Sequence, residues 1–297
     1  MRERRQWACP EPVDNRAMPA IERATTAAAA ELLGVDFSCS PSRRKPITVA
    51  RGRLAGERLA VDAVDALPTL AAFEALLRRP GPWLGGFDLP FGLPRAFVEA
   101  HAFGSSAAEV MAAVRSRCAT RMAWRAFIDA WGNTRPRGGR LLHRRTDAAS
   151  AVVSTSPMQT RYVPVGLMYY EGVARLIDAG VTLPALRHAG DPGRVALEAY
   201  PRRLAHAIVA RRSYKNGDDA DRRAARATIV AALERSGERF GVALECGRAL
   251  RRSLVDDASG DLLDAVLCLA QAAIASRRAG YGVPEDVDPV EGWIAAE

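Results

Sequence analysis

The first third of the chain alternates short apolar runs with turn-forming residues. Three apolar runs, separated by SPSRRK and GRLAG, are expected to be strands at about 32–38, 46–51 and 57–64. Short strands joined by short turns are typical of an antiparallel meander. A helical pattern follows at 67–81 and ends at Pro80-Gly81, and PWLGGFDLP then predicts a fourth strand. The chain therefore starts as three strands, a helix and a strand.

Helical periodicity dominates the rest of the chain, with one further strand. Residues 95–180 are mostly helical in pattern, and GRVALEAYP at 193–201 predicts the fifth strand. Further helices are expected at 219–237 and 259–280. We therefore predict an α/β domain over residues 31–297 with a helical insertion at about 95–180. Residues 1–30 are expected to be an N-terminal extension, disordered or in part helical.

Composition narrows the class of protein. The 297 residues are 48% hydrophobic and 26% charged, which is ordinary for a globular protein with a core. No apolar run approaches the roughly 18 residues that a membrane span needs. The charged N-terminus has no apolar segment after it, so no signal peptide is predicted. We expect a cytoplasmic protein without membrane contact.

Neither cysteine nor histidine spacing predicts a disulfide framework or a zinc site. The five cysteines are scattered without a C-x-x-C pair, and the four histidines stand alone. The net charge is +8, and of the 42 basic residues only Lys45 and Lys215 are lysines. A basic balance suits a polyanionic partner, although a solvated arginine-rich surface explains it equally well.

Acidic residues stand where predicted strands and one helix end or begin. Asp36, Asp88 and Glu198 follow the first, fourth and fifth strands, and Asp261 and Asp264 open the last helix on one face. If these strands are neighbours, the carboxylates cluster, which is unfavourable without cations. Mg²⁺ and Mn²⁺ favour oxygen ligands, and two such ions can promote phosphodiester hydrolysis.

Each of these acids also has an ordinary structural explanation. Asp261 and Asp264 complement the helix dipole, and Asp36 could cap a turn. Asp88 could accept hydrogen bonds from loop amides, and Glu198 could pair with an arginine. It is the combination and order of the acids that predicts a site.

Six short motifs in the right order resemble one protein family. They are GVDFS (34–38), FDLPFGLP (87–94), EAYP (198–201), SYK (213–215), DLLDAVLCLAQA (261–272) and EGWI (291–294). The chain resembles the domain of unknown function 429 family over about 33–294. That family is described as predicted RNase H-like nucleases.

The resemblance implies an RNase H-like fold, with a mixed sheet of three antiparallel and then two parallel strands flanked by helices. It implies that Asp36 bridges the metals and that Asp88 is the fourth-strand acid. Asp261 and Asp264 look like the Asp-x-x-Asp-Ala of Holliday-junction resolvases. Glu198 departs from the simplest RNase H pattern. The resemblance leaves it as a further metal ligand or a substrate contact. The expected catalytic residues are Asp36, Asp88, Glu198 and Asp264, and the expected metal ligands are Asp36, Asp88, Asp261 and Asp264.

Two basic segments are candidates for contacts with nucleic acid. The glycine-containing segment RPRGGRLLHRR could follow a phosphate backbone with Arg135, Arg137, Arg140, Arg144 and Arg145. Lys215 in SYKNG could contact a phosphate. The alternatives are a solvated loop and a lysine on a turn.

Two functions from different classes follow from these observations. The first is a Mg²⁺- or Mn²⁺-dependent nuclease that acts by a two-metal mechanism. The second is an inactive RNase H-like protein that binds nucleic acid or serves in assembly, with its acids too far apart or neutralised by arginine. An ATP-binding phosphotransferase is disfavoured because the chain has no G-x-x-x-x-G-K-[ST] motif. DNA or RNA specificity and the oligomeric state stay open.

Overall fold

A computed structural model describes residues 30–149 and 152–295. The predicted N-terminal extension, residues 1–30, lies outside this described part except for its last residue. The described residues form a mixed α/β structure, in which one seven-stranded sheet is flanked by helices.

The sheet contains both antiparallel and parallel neighbours. Its strands are β1 Glu31–Asp36, β2 Ile47–Ala55, β3 Arg58–Leu67, β4 Trp83–Asp88, β5 Val181–Thr182, β6 Asp191–Glu198 and β7 Ala243–Glu245. Their order across the sheet is β5-β6-β4-β1-β2-β3-β7. β2 runs antiparallel to β1 and β3, whereas all other neighbouring pairs are parallel. The five predicted strands are therefore present, three antiparallel and then two parallel.

The predicted number of strands was wrong, since the sheet has seven rather than five. The two additional strands, β5 and β7, lie at the two edges and have only two and three residues. Runs that short are too brief to show the alternation that marks a strand in a sequence.

In the described part of the chain, eleven α-helices lie after β3, the last two of them after β7. They are α1 Leu70–Leu77, α2 Arg95–Ala100, α3 Ala107–Arg117, α4 Arg121–Asn133, α5 Arg145–Ala148, α6 Val165–Asp178, α7 Pro201–Val209, α8 Ala220–Glu234, α9 Gly237–Phe240, α10 Arg248–Asp256 and α11 Asp261–Ser276. Helices α2 to α6 lie between β4 and β5 in the chain, where the helical insertion was predicted. The predicted start of α8 is also correct, because the Asp219 carboxylate accepts from the backbone N–H of Arg222.

Two hydrophobic cores lie on opposite faces of the sheet. In β1, Leu33 and Val35 belong to one core, which includes the aromatic side chains of the inserted helices. Leu32 points the other way, into the core formed with α7, α8, α10 and α11. The central strand is therefore buried on both faces.

Two glycines let α11 lie directly on the middle of the sheet. A Cβ atom at Gly34 would be 2.1 Å from the backbone oxygen of Ala265, and one at Gly86 would be 2.5 Å from that of Cys268. Only glycine permits this approach of helix to strand. The helix start is thereby brought to the ends of β1 and β4.

No single helix within 30–149 and 152–295 is long and apolar enough to cross a membrane. Taken together, the helices α10 and α11 have the length and composition of a membrane span, but a bend of 118° separates them.

Candidate metal centre

Three of the predicted carboxylates converge where β1, β4 and α11 meet. Asp36 and Asp88 are partners in the parallel register of β1 and β4, so their side chains leave the sheet on the same face. Asp264 comes from the first turn of α11 on that face. One carboxylate oxygen from each of the three lies within 4.8 Å of the other two. This is a spacing at which one divalent ion could contact all three.

The electrostatics of this cluster disfavour three free negative charges. Burial raises the pKa of Asp36 well above its usual range, against an opposing effect of Lys215. Burial, and then the neighbouring Asp264, raise the pKa of Asp88 to about 7. The pKa of Asp264 is also raised, again chiefly by burial. Within the described part of the chain, neither Asp36 nor Asp88 receives a side-chain hydrogen bond, so a cation would stabilise both.

Lys215 contributes a positive charge to the same cluster. Its Nζ contacts Oδ2 of Asp264 and lies 3.4 Å from Oδ1 of Asp261. Lys215 was predicted to contact a phosphate, but here its ammonium lies among carboxylates. Asp261, a predicted metal ligand, is outside the group of three and faces Lys215 instead.

Tyr214 is a member of the cluster that the sequence did not single out. Its Oη donates a hydrogen bond of 2.6 Å to Oδ1 of Asp264, and it is buried. Burial raises the pKa of Tyr214, and the charge of Asp264 adds to that effect. The tyrosine therefore stays a donor, and both oxygens of Asp264 have partners. In the sequence, the only sign that Tyr214 belongs to the site was its position next to Lys215 in SYKNG.

Glu198 does not join the cluster. In the register of β4 and β6 it stands beside Phe87, one residue before Asp88, so its side chain points to the opposite face. Its carboxylate accepts from the backbone N–H of Phe91 at 2.8 Å and from Arg144 at 2.6 and 2.8 Å. Glu198 was predicted to be catalytic, but this geometry places it outside the carboxylate cluster, because both of its oxygens serve a buried ion pair.

Arg144 is the centre of that ion pair. Its side chain is 1% exposed and also binds Asp147, with Nη2 2.8 Å from Oδ1. Burial alone would raise the pKa of Asp147, but Arg144 outweighs it and the pKa is lowered. The pKa of Glu198 is raised, because burial there outweighs Arg144. Arg144 also donates to the backbone oxygen of Glu291 and so attaches the C-terminal segment.

The arginine-rich segment, residues 135–145, does not line the cleft that contains the three carboxylates. Arg144 was predicted to contact nucleic acid, but its burial removes it from any such contact in this structure. Arg145 pairs with Asp286, and Arg135 donates to the backbone oxygen of Gly139. Arg137 and Arg140 are exposed. None of the five predicted arginines lines the cleft.

The carboxylates form the floor of a cleft of about 970 Å³. Its lining also contains a set of exposed cations, which are Lys45, Arg202, Arg211 and Arg212. Sequence reasoning missed these residues, although Arg211 and Arg212 immediately precede the SYK motif. The cleft therefore combines an acidic floor with a basic rim. Such an arrangement can hold a phosphate between a floor-bound cation and the rim.

Comparison of the chain with protein-family models, with curated proteins and with solved structures gives no significant match. The family resemblance carried by the six motifs therefore stays a prediction.

Proposed function

We propose that the protein is a Mg²⁺- or Mn²⁺-dependent nuclease that hydrolyses phosphodiester bonds of nucleic acid. The observation that carries the proposal is the convergence of Asp36, Asp88 and Asp264 at the floor of a cleft with a basic rim. The carboxylates suit a hard divalent ion, and the rim suits the phosphates of a polyanion.

The sheet supports an RNase H-like assignment within this proposal. The five longer strands have the order β3-β2-β1-β4-β6, with three antiparallel strands and then two parallel ones. The acids stand at the ends of β1 and β4 and at the start of the last long helix. This is the arrangement that the resemblance to the domain of unknown function 429 family implies.

The residues present fit a divalent ion. Asp36 and Asp88 would hold it with carboxylate oxygens that have no other hydrogen-bond donor among the described residues, and Asp264 could complete the set. Such an ion lowers the pKa of a bound water and stabilises the leaving oxygen of a phosphodiester. The carboxylates would hold the ion against the sheet, and the rim arginines would orient the substrate.

The second candidate is a nucleic-acid-binding or assembly protein without catalysis. Lys215 and Tyr214 favour it, since they engage both oxygens of Asp264, and the Lys215 ammonium partly neutralises the cluster. However, one lysine faces four carboxylates, Asp36, Asp88, Asp261 and Asp264. The cluster keeps a net negative charge whenever more than one of them is ionised, and for this reason we favour the nuclease.

A metal-binding and cleavage experiment on the same samples tests the proposal. Mn²⁺ binding is measured by calorimetry for the wild type and Asp36→Asn, and cleavage is measured on single- and double-stranded DNA and RNA. The control is Asp62→Asn, which changes an exposed carboxylate paired with Arg53 outside the cleft. We expect binding and metal-dependent cleavage in the wild type and the control, and neither in Asp36→Asn. Metal binding without cleavage of any substrate would favour the second candidate.

A further inference from the structure

The position of Lys215 bears on how many metal ions the centre takes. In a two-ion centre the ions lie about 3.5–4 Å apart and share carboxylates between them. Asp36 and Asp88 would serve one ion. A second ion would share Asp264 with the first and use Asp261, and these are the two carboxylates that the Lys215 ammonium contacts.

The loop that carries Lys215 is held in place by buried hydrogen bonds. Arg226 on α8 is 1% exposed and donates to the backbone oxygens of Tyr214 and Gly217 at 2.8 and 3.0 Å. It also donates to the backbone oxygen of Val255 at 2.8 Å, which joins the loop to α10. The backbone that carries the ammonium is therefore attached by buried hydrogen bonds to α8 and, through Arg226, to α10.

The start of α11 is shaped to accept the lysine. Gly260 precedes the helix with φ of +79°, and a Cβ atom there would be 2.9 Å from Cγ of Lys215. The backbone N–H of Asn216 donates to the oxygen of Ser259, and that of Gly217 donates to Ala258. Loop and helix start thus form one unit that directs the side chain to Asp261 and Asp264.

We propose that Lys215 is a resident cation of the metal centre, which takes the place of one of two divalent ions. The centre then binds one Mg²⁺ or Mn²⁺ ion per chain, held by Asp36 and Asp88 with Asp264. This inference rests on the proposed function, because it concerns the same centre. Its physical basis is that a fixed ammonium satisfies two carboxylates and repels a second divalent ion.

The test counts Mn²⁺ ions per chain by calorimetry and by electron paramagnetic resonance. The variants are Lys215→Met, which removes the charge at similar length, and Lys45→Met, the matched control on the other lysine of the same cleft. We expect one ion in the wild type and in Lys45→Met. We expect two ions in Lys215→Met, with a spin-coupled spectrum and at least tenfold tighter binding of the first ion.

Each alternative outcome has a defined meaning. Two ions in the wild type, or one ion with unchanged affinity in Lys215→Met, would overturn the role of Lys215 but leave the proposed function standing. No binding to either protein would refute the proposed function and the inference together. Binding to Lys215→Met alone would show that the lysine blocks the centre, against both proposals. If Lys215→Met does not fold, Lys215→Gln replaces it, and the wild-type ion count remains decisive.

Discussion

The buried ion pair of Arg144 allows a structural role of Glu198 to be separated from a catalytic one. The changes are Glu198→Gln, which removes a charge with little change of shape, and Arg144→Met, which removes the cation. If Glu198 serves the fold, both changes lower the free energy of unfolding and leave Mn²⁺ binding at Asp36 and Asp88 unchanged.

The magnitude follows from the contacts. Glu198 accepts three hydrogen bonds, two of them from Arg144 and one from the Phe91 amide. Each carboxylate oxygen of Glu198 accepts from Arg144. The new NH₂ group of Glu198→Gln therefore faces an Arg144 donor in either orientation, and at least one charge-assisted bond is lost, at a cost of about 2–3 kcal/mol. Arg144→Met is worse, because it leaves Asp147 and Glu198 buried without their cation, and this costs about 3–5 kcal/mol.

Thermal unfolding in the presence of a chelator measures both effects. For a domain of this size 1 kcal/mol corresponds to about 2 °C in Tm, so we expect decreases of about 4–6 °C and 6–10 °C. Arg145→Met is the control, since its guanidinium and the carboxylate of Asp286 are 63% and 67% exposed. An exposed pair contributes about 1 kcal/mol at most.

The reasoning is refuted if Glu198→Gln unfolds at the wild-type temperature and yet loses Mn²⁺ binding or cleavage. Glu198 would then act at the metal centre, contrary to the strand register. Equal stability of Arg144→Met and Arg145→Met would likewise show that the buried ion pair does not hold the fold together.

Three further predictions concern the metal centre and its scaffold. Because the folded-state pKa of Asp88 is raised to about 7 from an ordinary value near 3.8, the folded protein holds a proton that the unfolded chain loses. In the presence of a chelator, the contribution of Asp88 to stability therefore falls as the pH rises from about 4 to 7. Mn²⁺ binding strengthens over the same pH range. If Asp88→Asn had the same dependence of Tm on pH as the wild type, this prediction would be contradicted. Gly34→Ala places a Cβ 2.1 Å from the Ala265 oxygen and should destabilise by about 3 kcal/mol or more by denaturant unfolding. Gly247→Ala has open space around it and should cost only about 1 kcal/mol, which is the effect of alanine at the N-cap of α10. Tyr214→Phe removes a charge-assisted hydrogen bond to Asp264 and should lower the free energy of unfolding by about 1.5–3 kcal/mol. Calorimetry should show tighter Mn²⁺ binding, because Asp264 is released from the tyrosine. An unchanged free energy of unfolding together with unchanged Mn²⁺ affinity would show that this bond has no energetic role.

Local patterns in the sequence were sufficient for the main elements. Short apolar runs bounded by turn-forming residues predicted β1 to β4 and β6, and the helical period predicted α11. These patterns reflect which side of an element is buried, and that property is written in neighbouring residues. Three carboxylates also came together, as the positions of Asp36 and Asp88 after apolar runs and of Asp264 at a helix start implied.

Only the tertiary structure decided which side chains meet. Glu198 stands one residue away from alignment with Asp88, and in a strand one residue of register reverses the face. Arg144, predicted on an exposed basic loop, is buried because it is the counter-ion of Glu198 and Asp147. Lys215 joined the carboxylates rather than the rim because buried Arg226 fixes its loop against α10. The sequence determined the elements because periodicity is local, whereas register, burial and ion pairing depend on contacts between segments far apart in the chain.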